Sequence, residues 1–256
     1  MIVYGIHPVL EALRAGRARR LRVGPRHDRR IEQALAAARE RHVPVEHVDA
    51  GALERAARGG VHQGIVAEIE PPRASSIGDL LAAAAPEPPL IVVLDGVEDP
   101  HNLGAILRTA DAAGVHGVVR QERRAAPLDG AAAKASAGAV AHIRLATVVN
   151  IARALEELAE AGVWTVGLAA DAPESYDRAD FTLPTALVFG AEGTGLRRLV
   201  RDRCDRLVSI PMRGVVESLN VSVAAGVTLF EAVRQRRAAG RPGHPGHSDL
   251  PRPESG

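Results

Sequence analysis

Three short segments of this sequence carry side chains spaced for chemistry, and each follows an apolar run. In the first, Leu94-Asp95-Gly96-Val97-Glu98-Asp99-Pro100-His101-Asn102 leads into Leu103-Gly104-Ala105-Ile106-Leu107-Arg108. Asparagine is a preferred helix cap, so Asn102 is expected at a helix start, where it either only caps or also meets a ligand. Arg108 follows within that helix. It is either a solvated arginine or, because open α/β sheets bind ligands beyond the carboxyl ends of their strands, part of a site.

The second segment, Leu187-Val188-Phe189-Gly190-Ala191-Glu192-Gly193-Thr194-Gly195-Leu196, is an apolar strand opening into a glycine-rich turn. Its Gly-x-x-Gly-x-Gly order is neither the Gly-x-Gly-x-x-Gly of dinucleotide folds nor the Gly-Lys-Ser/Thr ending of a phosphate loop. A carboxylate in the turn repels a pyrophosphate, so Glu192 argues against NAD or ATP and suits a cationic ligand or a hydroxyl donor; a tight turn with a solvated glutamate is the plain alternative. In the third, Ile210-Pro211-Met212-Arg213-Gly214-Val215-Val216-Glu217-Ser218-Leu219-Asn220-Val221-Ser222, small hydrogen-bonding groups lead into a helix. Ser218 has no assignable His-Asp pair and no Gly-x-Ser-x-Gly elbow, which favours ligand positioning over nucleophilic attack.

The elements that must hold these segments alternate. Strands are expected at 90–94, 117–120, 142–145, 164–168, 186–189 and 207–210, with helices at 103–113, 131–136, 151–161, 196–201 and 221–238. Such alternation means a parallel sheet covered on both faces by helices. Residues 1–70 read as a smaller mixed α/β unit, with helices at 9–15, 31–41 and 53–57 and extended stretches at 21–23, 43–45 and 65–69. Pro71-Pro72-Arg73-Ala74-Ser75-Ser76 breaks every regular pattern because proline removes a donor and restricts its predecessor. The expected division is therefore 1–73 and 74–239, followed by a disordered tail, 240–256, whose His244 and His247 do not make a metal site.

With 256 residues, 46% hydrophobic and 25% charged, the chain has an ordinary globular balance, with room for two cores. The net charge of +1 disfavours indiscriminate coating of nucleic acid, but the first 73 residues carry 13 Arg against 9 Asp plus Glu, which permits a local basic face. A single cysteine, Cys204, excludes an internal disulfide framework and fits a reducing cytoplasm. No apolar run approaches the ~20 residues that span a bilayer, and the start lacks a signal-peptide pattern.

Together, Asp-Pro-His-Asn-Leu-Gly-Ala with Leu-Arg-Thr-Ala-Asp, Phe-Gly-Ala-Glu-Gly-Thr-Gly-Leu, and Ile-Pro-Met through Ser-Leu-Asn-Val-Ser resemble the three motifs of the SpoU family of RNA 2′-O-ribose methyltransferases, within the SPOUT group. Tyr4-Gly5-Ile6-His7-Pro8-Val9 and Val61-His62-Gln63-Gly64-Ile65 look like the substrate-binding domain of its ribosomal RNA branch, so the resemblance covers residues 1 to about 237. It implies an α/β catalytic domain with a parallel sheet and a deep trefoil knot, a rare exception to unknotted topology. The smaller domain would resemble ribosomal protein L30e. S-adenosylmethionine would be the methyl donor, without a metal, held by Gly190, Glu192, Gly193, Ile210, Met212, Ser218 and Leu219. Arg108 would be the leading catalytic residue, with Asn102, Glu192 and Asn220 fixing it, the ribose or water. The chain would be a homodimer acting on 23S ribosomal RNA at a guanosine, with Arg17, Arg19, Arg20, Arg22, Arg26, Arg29 and Arg30 meeting phosphates. Another ribosomal nucleotide or a transfer RNA is the nearest alternative; a non-catalytic ribosome-assembly protein is the alternative of another class.

Overall fold

The computed structural model describes residues 1–25, 28–72, 74–128 and 130–240. The first unit contains β1 (Ile2–Tyr4), α1 (Ile6–Arg14), β2 (Ala18–Val23), α2 (Arg29–Glu40), β3 (Val45–His47), α3 (Ala50–Ala57) and β4 (Ile65–Ile69). Its sheet runs β1-β4-β2-β3, antiparallel except for β2 with β3. Aspartates start two of the helices: Asp28 accepts from Arg30 N and Ile31 N, and Asp49 from Ala52 N, which satisfies donors that the first helical turn leaves open.

The second unit contains β5 (Ala74–Ser75), α4 (Ile77–Ala82), β6 (Leu90–Asp95), α5 (Pro100–Ala112), β7 (Gly117–Gln121), α6 (Gly130–Ala135), β8 (Leu145–Val148) and α7 (Ile151–Glu160). It continues through β9 (Trp164–Leu168), β10 (Glu174–Ser175), β11 (Thr185–Gly190), α8 (Arg198–Arg201), β12 (Arg206–Ser209) and α9 (Val221–Ala238). The sheet runs β10-β12-β9-β11-β6-β7-β8-β5, with every pairing parallel. Because side chains alternate across a strand, Leu90, Val92 and Leu94 of β6 join Leu103, Ile106 and Leu107 of α5 and Leu229 of α9, while Ile91 and Val93 join Leu155 and Leu158 of α7. Strand order reverses between β6 and β11, and there the strand ends open the crevice in which such sheets bind ligands.

The two units touch through α6 and the turn after it. Lys134, the sole lysine, donates to Val61 O at 3.1 Å and sits 5.9 Å from the centre of the Tyr4 ring, within cation–π range. Arg17 donates to Ala141 O at 3.1 Å, and His142 meets Glu11 at 3.2 Å. On its other side α6 lies so close to α5 that a Cβ on Gly104 would collide with Ala132 and Ala135.

Several expectations need correction. Helix α5 starts at Pro100, capped by Asp99, whose carboxylate accepts from His101 N at 2.8 Å. Asn102 is therefore a buried residue of the first turn and not the cap; proline at the first position, where no N–H partner is needed, explains the early start. The strand expected at 142–145 is β8, three residues later, because Ala139–Ala141 forms a 3₁₀ turn. Helix α1 begins at Ile6, not residue 9, and is preceded by the short strand β1, which the local pattern does not mark. Arg26, Arg73, His244, His247 and all of the tail beyond Gly240 lie outside the described residues.

Candidate active site

The site begins with a buried charge. Asp95 ends the central strand β6 and is fully buried, an expensive position for a carboxylate without partners. Arg197 supplies them: its backbone N donates to Oδ2 at 2.8 Å and its Nε to Oδ1 at 2.6 Å, while its Nη2 reaches Gln121 Oε1 at 2.7 Å. Asp95 also stands in register with Gly190 across β6 and β11. One residue thus holds both ends of the glycine turn 190–196.

Within that turn Ala191 and Gly195 exchange backbone hydrogen bonds of 3.1 and 2.9 Å. Gly193 and Gly195 have φ of 75° and 66°, conformations that favour glycine. At Gly190 a Cβ would collide with the backbone of Gly195 and Leu196, so the turn closes only because that position has no side chain.

The turn forms one wall of a cavity of ≈ 400 Å³. The end of β9 and the residues after it (Leu168 to Asp171) form a second wall; Ile210, Met212, Glu217, Ser218 and Leu219 form a third, closed by Val221 and Ala224 of α9. All seven residues expected to hold the methyl donor, Gly190, Glu192, Gly193, Ile210, Met212, Ser218 and Leu219, line this cavity. Its floor is apolar, with Phe189 and Val208 fully or nearly fully buried, and its rim bears Glu192, Glu217 and Asp171. The lining arginine, Arg201, is committed to Asp171 by two hydrogen bonds of 2.9 and 3.0 Å, and this guanidinium holds the Asp171 carboxyl below its ordinary value. An apolar slot edged by carboxylates fits a cationic sulfonium nucleoside and disfavours a pyrophosphate.

Beside the cavity three residues from the three segments meet. Asn102 is 7% exposed; its amide Nδ2 donates to Glu192 Oε1. Asn220 Nδ2 donates to the same oxygen at 2.9 Å and to Asn102 Oδ1 at 3.1 Å. Asn220 also caps α9, its Oδ1 accepting from Ser222 N at 2.9 Å and Ser222 Oγ at 2.6 Å. The Glu192 carboxylate is thus fixed by two amides. Arg108 is not brought to this cluster: it is exposed on α5, makes no ion pair among the described residues, and does not line the cavity. The expectation that Asn102, Asn220 or Glu192 would hold Arg108 within one chain does not match this geometry, since six residues of helix turn the two side chains of α5 about 120° apart.

Comparison with known proteins agrees with the motifs. Residues 89–230 match the model of the SpoU rRNA Methylase family, and residues 2–75 match the RNA 2′-O ribose methyltransferase substrate binding model. The chain belongs to the SpoU rRNA methylase family. A relative from Photorhabdus laumondii, the 23S rRNA (guanosine-2′-O-)-methyltransferase RlmB, is 46% identical over 241 residues, covering 92% of this chain and 98% of that protein. Among solved structures, the SpoU methyltransferase AviRb from Streptomyces viridochromogenes in complex with AdoMet superposes with a TM-score of 0.77 at 28% identity, covering 93% of this chain and 91% of that one. An AdoMet-bound rRNA methyltransferase from Sinorhizobium meliloti gives a TM-score of 0.75 at 29% identity, covering 91% and 86%. This chain has the α/β fold and parallel sheet of its SpoU neighbours, preceded by an N-terminal unit that matches the substrate-binding model.

Sequence reading missed the Asp95–Arg197–Gln121 clamp and the wall from Leu168 to Asp171. An aspartate closing a run of five apolar residues, Leu90 to Leu94, was the available sign of the first; nothing local marks the second. The arginines of the N-terminal SpoU unit divide. Arg17 bonds Ala141 O and Glu70 O, Arg19 pairs with Glu70 and Arg22 with Glu46, whereas Arg20, Arg29 and Arg30 are exposed without an ion pair among the described residues. No helix among the described residues is long and apolar enough to cross a membrane.

Proposed function

We propose that this protein transfers the methyl group of S-adenosylmethionine to the ribose 2′-hydroxyl of a guanosine in 23S ribosomal RNA. The observation that carries the reading is a carboxylate-rimmed cavity lined by the second and third motif segments, with Asn102 of the first bonded to Glu192 and Asn220 beside it, in a SpoU family chain whose curated relative at 46% identity bears that activity in its name. Gly190, Gly193, Ile210 and Leu219 would bind the donor through backbone at the cavity wall, with Met212, Ser218 and Glu192 beside it. The donor supplies an electrophilic methyl, and the chain supplies orientation and exclusion of water.

Asn102 and Asn220 hold Glu192 so that its second oxygen is left to receive a hydroxyl proton or a ribose hydrogen bond. Arg108 is assigned to orienting a phosphate and stabilising developing charge, because guanidinium groups keep their proton to a pKa of about 12 or above. Residues 1–73 would bind RNA and 74–239 would carry the chemistry, in the reducing cytoplasm that ribosomal RNA and a lone cysteine suit. The N-terminal unit would share the fold of ribosomal protein L30e. The catalytic unit would carry the family's trefoil knot, a reading supported by the return of α9 onto α5 and β11 after β12 has passed to the far side of β9.

The chain would work as a homodimer. Val223 and Phe230 on α9 are 50% and 51% exposed, and Val215 and Val216 in the loop before that helix are more so. Val223, Val227 and Phe230 form a stripe at helical spacing. Thr109 of α5 borders Gly226 of that helix, so pairing through α9 would bring the Arg108 surface to the subunit boundary.

Mapping 2′-O-methyls across ribosomal RNA from cells with and without the gene tests the activity: loss of one guanosine methyl in 23S RNA is expected, and an unchanged map would overturn it. Arg108→Ala should abolish transfer while calorimetry still shows donor binding; unchanged turnover would defeat the role given to Arg108. A wild-type protein that fails to bind S-adenosylmethionine would leave a non-catalytic RNA-binding role.

A further inference from the structure

The residue that points beyond the motifs is Arg120, at the carboxyl end of β7. Val118 shares a core cluster with Leu103 and Leu107 of α5, and Val119 lies in the cluster on the opposite face; alternation therefore sends Arg120 to the α5 face. It stands in register with Leu94, which stands in register with Phe189. Arg120 thus emerges on the sheet edge that holds the cavity, two strands or about 10 Å across, on the face where the first turn of α5 offers Asn102 to Glu192.

Its environment is unfinished. The side chain is only partly exposed, and its one hydrogen bond among the described residues, Nε to Gln121 O, is a long 3.5 Å. Burial pulls its pKa below the ordinary arginine value. No carboxylate pairs with it among the described residues, although acids pair with Arg197, Arg198, Arg201, Arg203 and Arg206 elsewhere in the same unit. A partly desolvated cation without a counter-charge is costly unless an anion arrives to complete it. The loop that follows adds Arg123 and Arg124, both exposed and both without ion pairs among the described residues. Arg124 is held at φ 53°, a backbone conformation that side chains other than glycine adopt at a cost. Glu122, between them and Arg120, is exposed and pairs with none of the three.

We propose that Arg120 and Arg124 form a phosphate-binding position for the RNA backbone flanking the target nucleotide, built into the catalytic unit and separate from the N-terminal unit. This rests on the RNA methyltransferase reading and deepens it. An RNA strand that presents its ribose to the cavity must cross this edge of the sheet, and a guanidinium fork matches phosphate oxygens in geometry as well as charge. Contacts of this kind fix register and orientation without reading sequence.

The test uses full-length protein and in-vitro-transcribed 23S ribosomal RNA, with binding measured across about 50 to 200 mM salt. Arg120→Met keeps the apolar stem and removes the charge; Arg124→Gln and the double variant complete the series. Each lost contact should flatten the slope of log affinity against log salt by about 0.7 to 0.9. The double variant should raise the KM for RNA about tenfold or more, with affinity for S-adenosylmethionine measured by calorimetry equal to that of wild type, and Arg120→Lys should restore most of the slope. An unchanged slope in the double variant, or donor affinity falling in step with RNA affinity, would overturn the assignment. Wild-type protein that binds the donor but not the transcript would overturn the RNA reading itself and this one with it.

Discussion

Replacing Arg197 with methionine should expose how much of the site depends on one buried charge. Asp95 is 0% exposed and takes two hydrogen bonds from Arg197, one from the backbone N at 2.8 Å and one from Nε at 2.6 Å. Methionine keeps the backbone donor and an apolar stem of similar reach but removes the guanidinium. Breaking a buried ion pair on one side typically costs about 3–5 kcal/mol, because the other charge is left uncompensated. The Arg197 side chain is 42% exposed and one bond survives, which places the expected loss nearer 2 kcal/mol, by the usual cost of stranding a buried hydrogen-bonding group. For a chain of this size that lowers Tm by about 4–8 °C.

The double variant Asp95→Asn/Arg197→Met removes the stranded charge as well and should regain about 1 kcal/mol of that loss, a coupling that a mutant cycle measures directly. Because the clamp closes the turn that carries Glu192, donor affinity in Arg197→Met should also fall about tenfold, equivalent to about 1.4 kcal/mol. Thermal unfolding followed by circular dichroism, with calorimetry for S-adenosylmethionine, reads both effects. A single variant as stable as wild type, or a double variant less stable than the single, would refute the reasoning that the pair offsets the burial of Asp95.

Other outcomes follow from particular contacts. Gly190→Ala should leave a folded protein that no longer binds the donor measurably, since the added methyl meets the Gly195 and Leu196 backbone; calorimetry checks it. The Cys204 thiol is pushed up to about 12, first by burial and then by the nearby carboxylates of Asp205 and Asp95. Alkylation at pH 8.5 should therefore be negligible in native protein and complete in urea. The raised folded pKa means that the thiol's contribution is full below its ordinary 9.0 and is lost as pH rises toward 12, so the stability difference from Cys204→Ala should fall across that window. Arg236 donates to four carbonyls, Phe181 O at 2.9 Å, Pro88 O at 2.6 Å, Pro89 O at 2.9 Å and Leu183 O at 3.0 Å. Arg236→Ala should cost about 2–3 kcal/mol in denaturant unfolding, with Arg236→Lys recovering less than half because an ammonium cannot span that fork.

Local pattern determined much of this protein. The apolar runs at 90–94 and 186–189 had to be buried strands, and the glycines from Gly190 marked a turn of close backbone approach. These features depend on residues within a few positions of one another, where steric and hydrogen-bonding rules act without reference to the rest of the chain. The motif spacing likewise carried the residues that line the cavity, because each sits just beyond a strand end.

What the tertiary structure decided concerns partners distant in sequence. That the Asn102 amide meets the Glu192 carboxylate depends on a residue 90 positions away, and that Asp95 can be fully buried depends on Arg197, 102 positions away. Arg108 and Arg120 look alike as letters, yet one is exposed on a helix and the other half-buried on a strand end, with no acid paired to it among the described residues. Sequence lists which charges exist; only the packed sheet sets their desolvation and separation, and those two quantities decide which pairs are satisfied and which await a ligand.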